Sequence, residues 1–189
     1  MPQCGGMEFE MGNSVCMIEL SSIARGIETC DQMLKAADVQ LLRSSTICPG
    51  KYMVIIGGDT SAVNASMKAG EEVAGEFLVD KLFIANVNDQ LMPAISGTTQ
   101  VATNGAIGVI EFYSVASAII AADTAAKAAD INLIEIRTGF AIGGKGFVTM
   151  SGDVSAITEA INAAKEVSDL MIECAVIPRP VDKLYEALM

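Results

Sequence analysis

The sequence contains no histidine, and its 12 lysines and arginines are outnumbered by 23 aspartates and glutamates, for a net charge of −11. Without histidine the chain lacks the side chain used most often for proton transfer and metal ligation near neutral pH. Its few cations form no cluster, so it lacks the concentrated positive charge that binding a phosphate backbone needs, which argues against a nucleic-acid partner. A membrane-crossing helix needs about twenty consecutive apolar residues. The uncharged stretch 91–110 does not supply them, because Pro93, three glycines and several Thr, Gln and Asn residues interrupt it. The segment MPQCGGMEFEMG carries acids where a secretory signal carries Lys or Arg, and no apolar segment follows, so the reading is cytoplasmic. Neither a cofactor fingerprint nor a nucleophile–base pair stands out, and the chain does not read as an enzyme. The five cysteines (Cys4, Cys16, Cys30, Cys48 and Cys174) are odd in number and without CxxC spacing. In a reducing compartment they are free thiols or metal ligands, not a disulfide framework.

What is present is apolar. Hydrophobic residues make up 51% of the 189 and charged residues only 19%. A soluble monomer normally carries more surface charge. With a membrane span set aside, this composition predicts extensive burial against other copies of the chain.

The chain is also written twice. Residues 15–43 align with 107–135 at a shift of 92, with 11 of 29 positions identical, among them Ile18-Glu19, Asp31 and Lys35-Ala-Ala-Asp38. After a two-residue insertion in the second copy, Lys51–Val73 align with Lys145–Val167, with 9 of 23 identical, including Gly58-Asp59 against Gly152-Asp153. Matches of similar density on both sides of one short gap indicate duplication. The predicted organisation is an extension 1–14, a first unit 15–95, a Gly/Thr/Asn-rich linker 96–105 and a second unit 106–189.

Within the first copy, VCMIEL reads as a strand and SIARGIETCDQMLKAA as a helix opened by Ser21 or Ser22. VQLLRSSTI and YMVIIGG read as strands on either side of a CPGK turn. DTSAVNASMKAGEEVA is a second helix with Asp59 or Thr60 at its start, VDKLFIANV a further strand, and DQLMPAI a short helix or turn. The order β-α-β-β-α-β predicts an α+β fold of ferredoxin-like type, an antiparallel sheet with helices on one face.

The turn Thr46-Ile47-Cys48-Pro49-Gly50-Lys51 poses the main chemical question, because it presents one thiol with no second ligand nearby. The residues alone leave three roles open: a small, weakly polar lining residue, a zinc ligand, or a ligand to an iron–sulfur group. Lys51 reads either as a solvated turn lysine or as a charge offsetting a bound anionic group. In the second copy the matching turn, Thr138-Gly139-Phe140-Ala141-Ile142-Gly143-Gly144-Lys145, has no cysteine. Its Gly-Gly-Lys-Gly is not a phosphate loop, since a strand follows it, not a helix. Glu19 and Glu111 match across the copies inside strands, where a structural hydrogen bond accounts for them.

The duplicated unit, its Asp-x-x-x-Lys-Ala-Ala-Asp helix, the glycine-containing turn ahead of a strand ending Gly-Asp, and the final Ile177-Pro178-Arg179-Pro180 together resemble the bacterial microcompartment shell domain. Two such units in one chain resemble the tandem-domain class of that family, in particular its propanediol-utilisation members, over about residues 15–189. The resemblance implies a homotrimer that mimics a hexameric disc, tiles with other shell proteins in the microcompartment shell, and serves an encapsulated redox enzyme. It implies a central pore lined by Thr46, Ile47, Cys48, Pro49 and Gly50 from one copy and Phe140, Ile142, Gly143 and Gly144 from the other. It places Lys35, Lys127 and Arg179 at the disc edge. It also implies one 4Fe–4S cluster per trimer, held by three Cys48 thiolates on the threefold axis, for electron transfer across the shell or for delivery of clusters to enzymes inside. A metal-free pore for selected metabolites is the alternative.

Overall fold

The computed structural model describes residues 14–99 and 105–188. Cys4, nearly all of the predicted extension and the middle of the predicted linker lie outside the described residues. The first unit runs β1 (Ser14–Leu20), α1 (Ile23–Ala36), β2 (Gln40–Ile47), β3 (Lys51–Gly58), α2 (Thr60–Ala74), β4 (Leu78–Ala85) and α3 (Leu91–Ser96). The second runs β5 (Ala106–Phe112), α4 (Val115–Ala128), β6 (Ile131–Thr138), β7 (Gly146–Gly152), α5 (Val154–Lys165), β8 (Met171–Ile177) and α6 (Asp182–Leu188). Each unit forms a four-stranded antiparallel sheet, ordered β2-β3-β1-β4 and β6-β7-β5-β8. The β-α-β-β-α-β order is as the sequence predicts; the terminal helix α6 is an addition to it.

The helices begin where side-chain oxygens satisfy the free N–H groups of a first turn. Ser22, not Ser21, caps α1 by accepting from the Arg25 N–H. Its repeat partner Ser114 caps α4 by accepting from the Ser117 N–H. Asp59 opens α2 by accepting from the Ser61 N–H at 2.9 Å, and the hydrogen bonds from Ser61 hold its carboxyl below the usual range.

Strand alternation divides β1 between two cores. Cys16, Ile18 and Leu20 face α1 and α2, with Cys30, Met33, Val54, Ile56 and Val63. Val15 and Met17 face the other way and join Met53, Ile55, Leu82 and Ile84 in a core that continues through α4 into the second sheet. Helices therefore cover one face of the first sheet, as expected, but its other face is covered too, by the second unit.

The sequence of α4 explains this. VASAIIAADTAAKA is mostly small and apolar, with its only charges at Asp123 and Lys127, and nine of its 14 residues are buried. A helix with so little polar surface has to be enclosed on more than one side. Its repeat partner α1 carries Arg25, Glu28 and Gln32 and buries only four residues. Side chains fasten the junction: Asp123 of α4 accepts the Asn88 N–H at 2.8 Å, and Gln90 bonds the backbone of β6 at Ile131 and Leu133. At the end of the chain the Tyr185 hydroxyl of α6 donates to the Gly105 carbonyl at 2.7 Å.

Candidate functional site: two turns that meet

The two glycine-containing turns, 92–94 residues apart in sequence, touch. The Cys48 N–H donates to the Gly139 carbonyl at 3.1 Å. Gly139 and Gly144 have φ of +79° and +82°, a region open to glycine and strained for other residues. A Cβ placed on Gly144 would lie 2.5 Å from the Cys48 carbonyl oxygen, and one on Gly139 3.4 Å from the Ile47 Cβ. Glycine is needed here for both close approach and backbone conformation. Gly144→Ala should therefore cost about 2 kcal/mol and push the Cys48 turn away. Urea denaturation checks the first effect and the reactivity of Cys48 toward a thiol reagent the second.

Of the predicted pore residues, Thr46, Pro49, Gly50, Phe140 and Gly143 are exposed, and Cys48 and Ile142 are half-buried. Ile47 and Gly144 are buried within the turn–turn contact, so they position the tips instead of presenting a surface. Phe140 is 59% exposed, an unusual state for so large an apolar side chain.

Behind each turn lies an ion pair. The Lys51 Nζ is 2.6 Å from Glu19, and the Lys145 Nζ is 3.1 Å from Glu111. Glu19 is only 3% exposed, inside the junction between the units. A carboxylate that deep needs its partner, because removing the cation would leave a buried, unpaired charge. Lys51 is therefore engaged with Glu19, which displaces its reading as a solvated turn lysine, and the hydrogen bond anticipated for Glu19 is an ion pair. The sequence signal lay in the repeat itself, where Glu and Lys recur together at matched positions of both copies.

The cysteines divide by environment. Cys16 and Cys30 are buried in the first core, and burial, reinforced by the Glu71 carboxylate, pushes the Cys16 thiol up to about 12. A thiol so shifted stays protonated and is a poor metal ligand. Cys174 is half-buried on the edge strand β8. Among the described residues Cys48 alone presents its sulfur from a turn. No group of three or more Cys, Asp or Glu in the described residues is arranged to hold a metal ion. A thiolate-held group fits Cys48 only if several copies of the chain bring that turn together.

The predicted edge residues lie apart from these turns. Lys35 and Lys127 occupy the last turns of α1 and α4, each paired with the aspartate four residues earlier. Lys35 is exposed, whereas the Asp123 partner of Lys127 is buried at the junction between the units. Arg179 is exposed between β8 and α6. No helix in the described residues is long and apolar enough to cross a membrane.

Comparison with known proteins places this geometry. The pattern of the BMC domain matches residues 14–87 and again 106–180. The chain is 41% identical over 182 residues to the bacterial microcompartment shell protein PduT of Citrobacter freundii, covering 95% of this chain and 99% of that one. The crystal structure of a microcompartments protein from Desulfitobacterium hafniense superposes with a TM-score of 0.87 and 44% identity, covering 92% of this chain and 98% of that one. A fused permuted hexameric shell protein, MSM0275 from the RMM microcompartment, shares the fold with a TM-score of 0.63 at 24% identity, covering 82% and 83% of the two chains.

Proposed function

The chain belongs to the BMC-domain family as a tandem-copy, structural shell protein of a bacterial microcompartment, and from that premise we propose that three copies close into a ring that gathers their Cys48 thiolates around a 4Fe–4S cluster. The observation that carries the ring is an inequality between repeat partners. On α4, Val115 and Ile119 are 0% and 1% exposed beneath the first sheet. At the same places on α1, Ile23 and Ile27 are 40% and 57% exposed.

The sheets are unequal in the complementary sense. Met17, Met53, Leu82 and Ile84 of the first sheet are buried against the second unit, while their partners Val109, Phe147, Ala175 and Ile177 are partly open. Each chain thus has one used and one unused copy of the same interface. The unused helix face of one chain matches the unused sheet face of the next. A head-to-tail contact of this kind forms a closed ring when the rotation per step permits, and a trimer of duplicated units mimics a hexamer. Closure would also cover the Glu111–Lys145 pair, as the junction within the chain already covers Glu19–Lys51.

In the ring each chain contributes one thiolate from the Cys48 turn, and soft sulfur ligands favour iron–sulfur groups. Such a cluster, held by three Cys48 thiolates, would supply one-electron transfer. The turn–turn contact, in which the Cys48 N–H donates to the Gly139 carbonyl, seats the backbone that carries each sulfur and so supports this reading. Because a single chain offers one ligand, cluster binding and ring formation are linked, each favouring the other. The chain's partners are then two further copies, neighbouring shell proteins met through edge residues such as Lys35 and Arg179, and a redox enzyme within the shell.

The test is anaerobic purification of the full chain with iron, sulfide and mass measured on one sample, and electron microscopy of the assembled protein. One cluster per three chains, together with extended sheets, is expected. A trimer that forms sheets but stays colourless after reconstitution with iron and sulfide would make this a metal-free metabolite pore.

A further inference from the structure

The segment that follows each unit's last strand is repeated as well. Asp89-Gln90-Leu91 and Ala94-Ile95 stand against Asp182-Lys183-Leu184 and Ala187-Leu188, at a shift of 93. Both copies open with the same turn: the Leu91 N–H donates to the Asn88 carbonyl at 3.0 Å, and the Leu184 N–H to the Val181 carbonyl at 2.8 Å. The two copies are used differently. Leu91, Ala94 and Ile95 are buried in the core that also holds α4 and β6. In α6, Ala187 is exposed and Leu184 and Leu188 are only half-buried. These three lie at i, i+3 and i+4, on one face of the helix. Tyr185 beside them is buried and ties α6 to its own unit through the Gly105 carbonyl.

The surface that receives the first segment also has an open counterpart. Within the chain, Asn88 crosses α4, where Asp123 accepts its N–H and the Ala126 carbonyl accepts its Nδ2. Gln90 then bonds the backbone of β6, donating to the Ile131 carbonyl and accepting the Leu133 N–H. The repeat partners of these groups are uncovered. Asp31 and Leu34 on α1 are exposed, and Leu41 on β2 is 42% exposed where Leu133 is 2%. One of the eight β2 residues is buried, against five of the eight on β6.

Segment and seat are thus each present twice and each used once. We infer that Val181–Leu188 is a strap that seats on the next chain of the ring. Its Val181 N–H meets the next chain's Asp31, and its Leu184, Ala187 and Leu188 lie along the next chain's β2 edge. This rests on the ring proposed above and adds to it a contact carried by α6 and β2. The strap is held less firmly than its counterpart within the chain, because Lys183 replaces Gln90 and Val181 replaces Asn88. An ammonium group donates but does not accept, so the Leu41 N–H lacks the acceptor that Gln90 gives Leu133. Valine offers nothing to the Leu34 carbonyl, where Asn88 serves that of Ala126. The contact between chains therefore relies on apolar burial, and it can open while the junction within the chain stays shut.

Sedimentation of the full-length protein over a range of concentrations tests the strap, in the absence of iron so that no cluster bears on assembly. Ala187→Arg puts a good helix former at an exposed position, so the chain keeps its resistance to urea. In the seat the same change buries a charge, and the concentration at half-assembly should rise roughly a hundredfold. Lys183→Gln, also at an exposed position, supplies the missing acceptor and should lower that concentration severalfold. An unaltered protein that sediments as a monomer throughout overturns the ring and the strap together. A trimer that is indifferent to Ala187→Arg, or that Lys183→Gln does not tighten, overturns the strap and leaves the ring standing.

Discussion

On the proposed function, Cys48→Ser is expected to yield a trimer of the same size that contains no iron and lacks the broad visible absorbance of an iron–sulfur chromophore. The loss is complete rather than partial because each chain supplies one ligand, so one substitution removes three. Serine has nearly the shape of cysteine, and the turn keeps its backbone bond to Gly139, so the fold is spared. Its hydroxyl, however, is a hard ligand that stays protonated near neutral pH and does not replace a soft thiolate. The other described cysteines are the controls. Cys16→Ser and Cys30→Ser disturb a core without touching the cluster, since both sulfurs are buried away from the turn and burial lifts the Cys16 thiol to about 12. Cys174→Ser, on the edge strand, leaves iron content unchanged. Iron and sulfide assays with EPR of the reduced sample measure the outcome, and full iron content in Cys48→Ser would remove Cys48 from the ligand set.

Much of the fold is legible in the sequence because the information is local. Period-two runs give the strands, Ser22 and Asp59 mark helix starts, and the repeat gives the organisation without any partner being known. What escapes is contact between the copies. That Ile47 rests against Gly139, that Glu19 needs Lys51, and that Met17 faces α4 are all long-range facts, and a strand's alternation does not say what covers each face. One signal was nevertheless available. Reading α1 and α4 side by side, IARGIETCDQMLKA against VASAIIAADTAAKA, shows one polar face retained and one erased. Erasure of a polar face in only one copy means that only one helix is enclosed within the chain. The site is legible to the same degree: the lone turn cysteine stands out, while the glycines that seat it acquire their purpose only when the turns are seen to meet.

Ile27→Asp separates the contact between chains from the contact within one. Ile27 is 57% exposed in the single chain, so aspartate there meets water and the monomer keeps its fold and its resistance to urea. In the proposed ring the same position lies under the next chain's sheet, as its repeat partner Ile119, 1% exposed, lies under the first sheet of its own chain. Replacing a buried isoleucine forfeits about 1.5–3 kcal/mol of apolar burial at each of the interfaces. Burying an unpaired carboxylate in its place costs several kcal/mol more. The expected result is a well-folded monomer by light scattering at micromolar concentration, where the proposal has the unaltered protein as a trimer. Ile119→Asp behaves in the opposite way and unfolds the chain, because its target surface belongs to the same molecule. Monomeric Ile27→Asp should also be colourless although Cys48 is intact and its turn is still seated on Gly139, since one sulfur per particle cannot hold a cluster. An Ile27→Asp protein that remains trimeric would show that the open face of α1 is not the ring contact. An iron-loaded monomer would break the link between assembly and metal, whichever residues then held it.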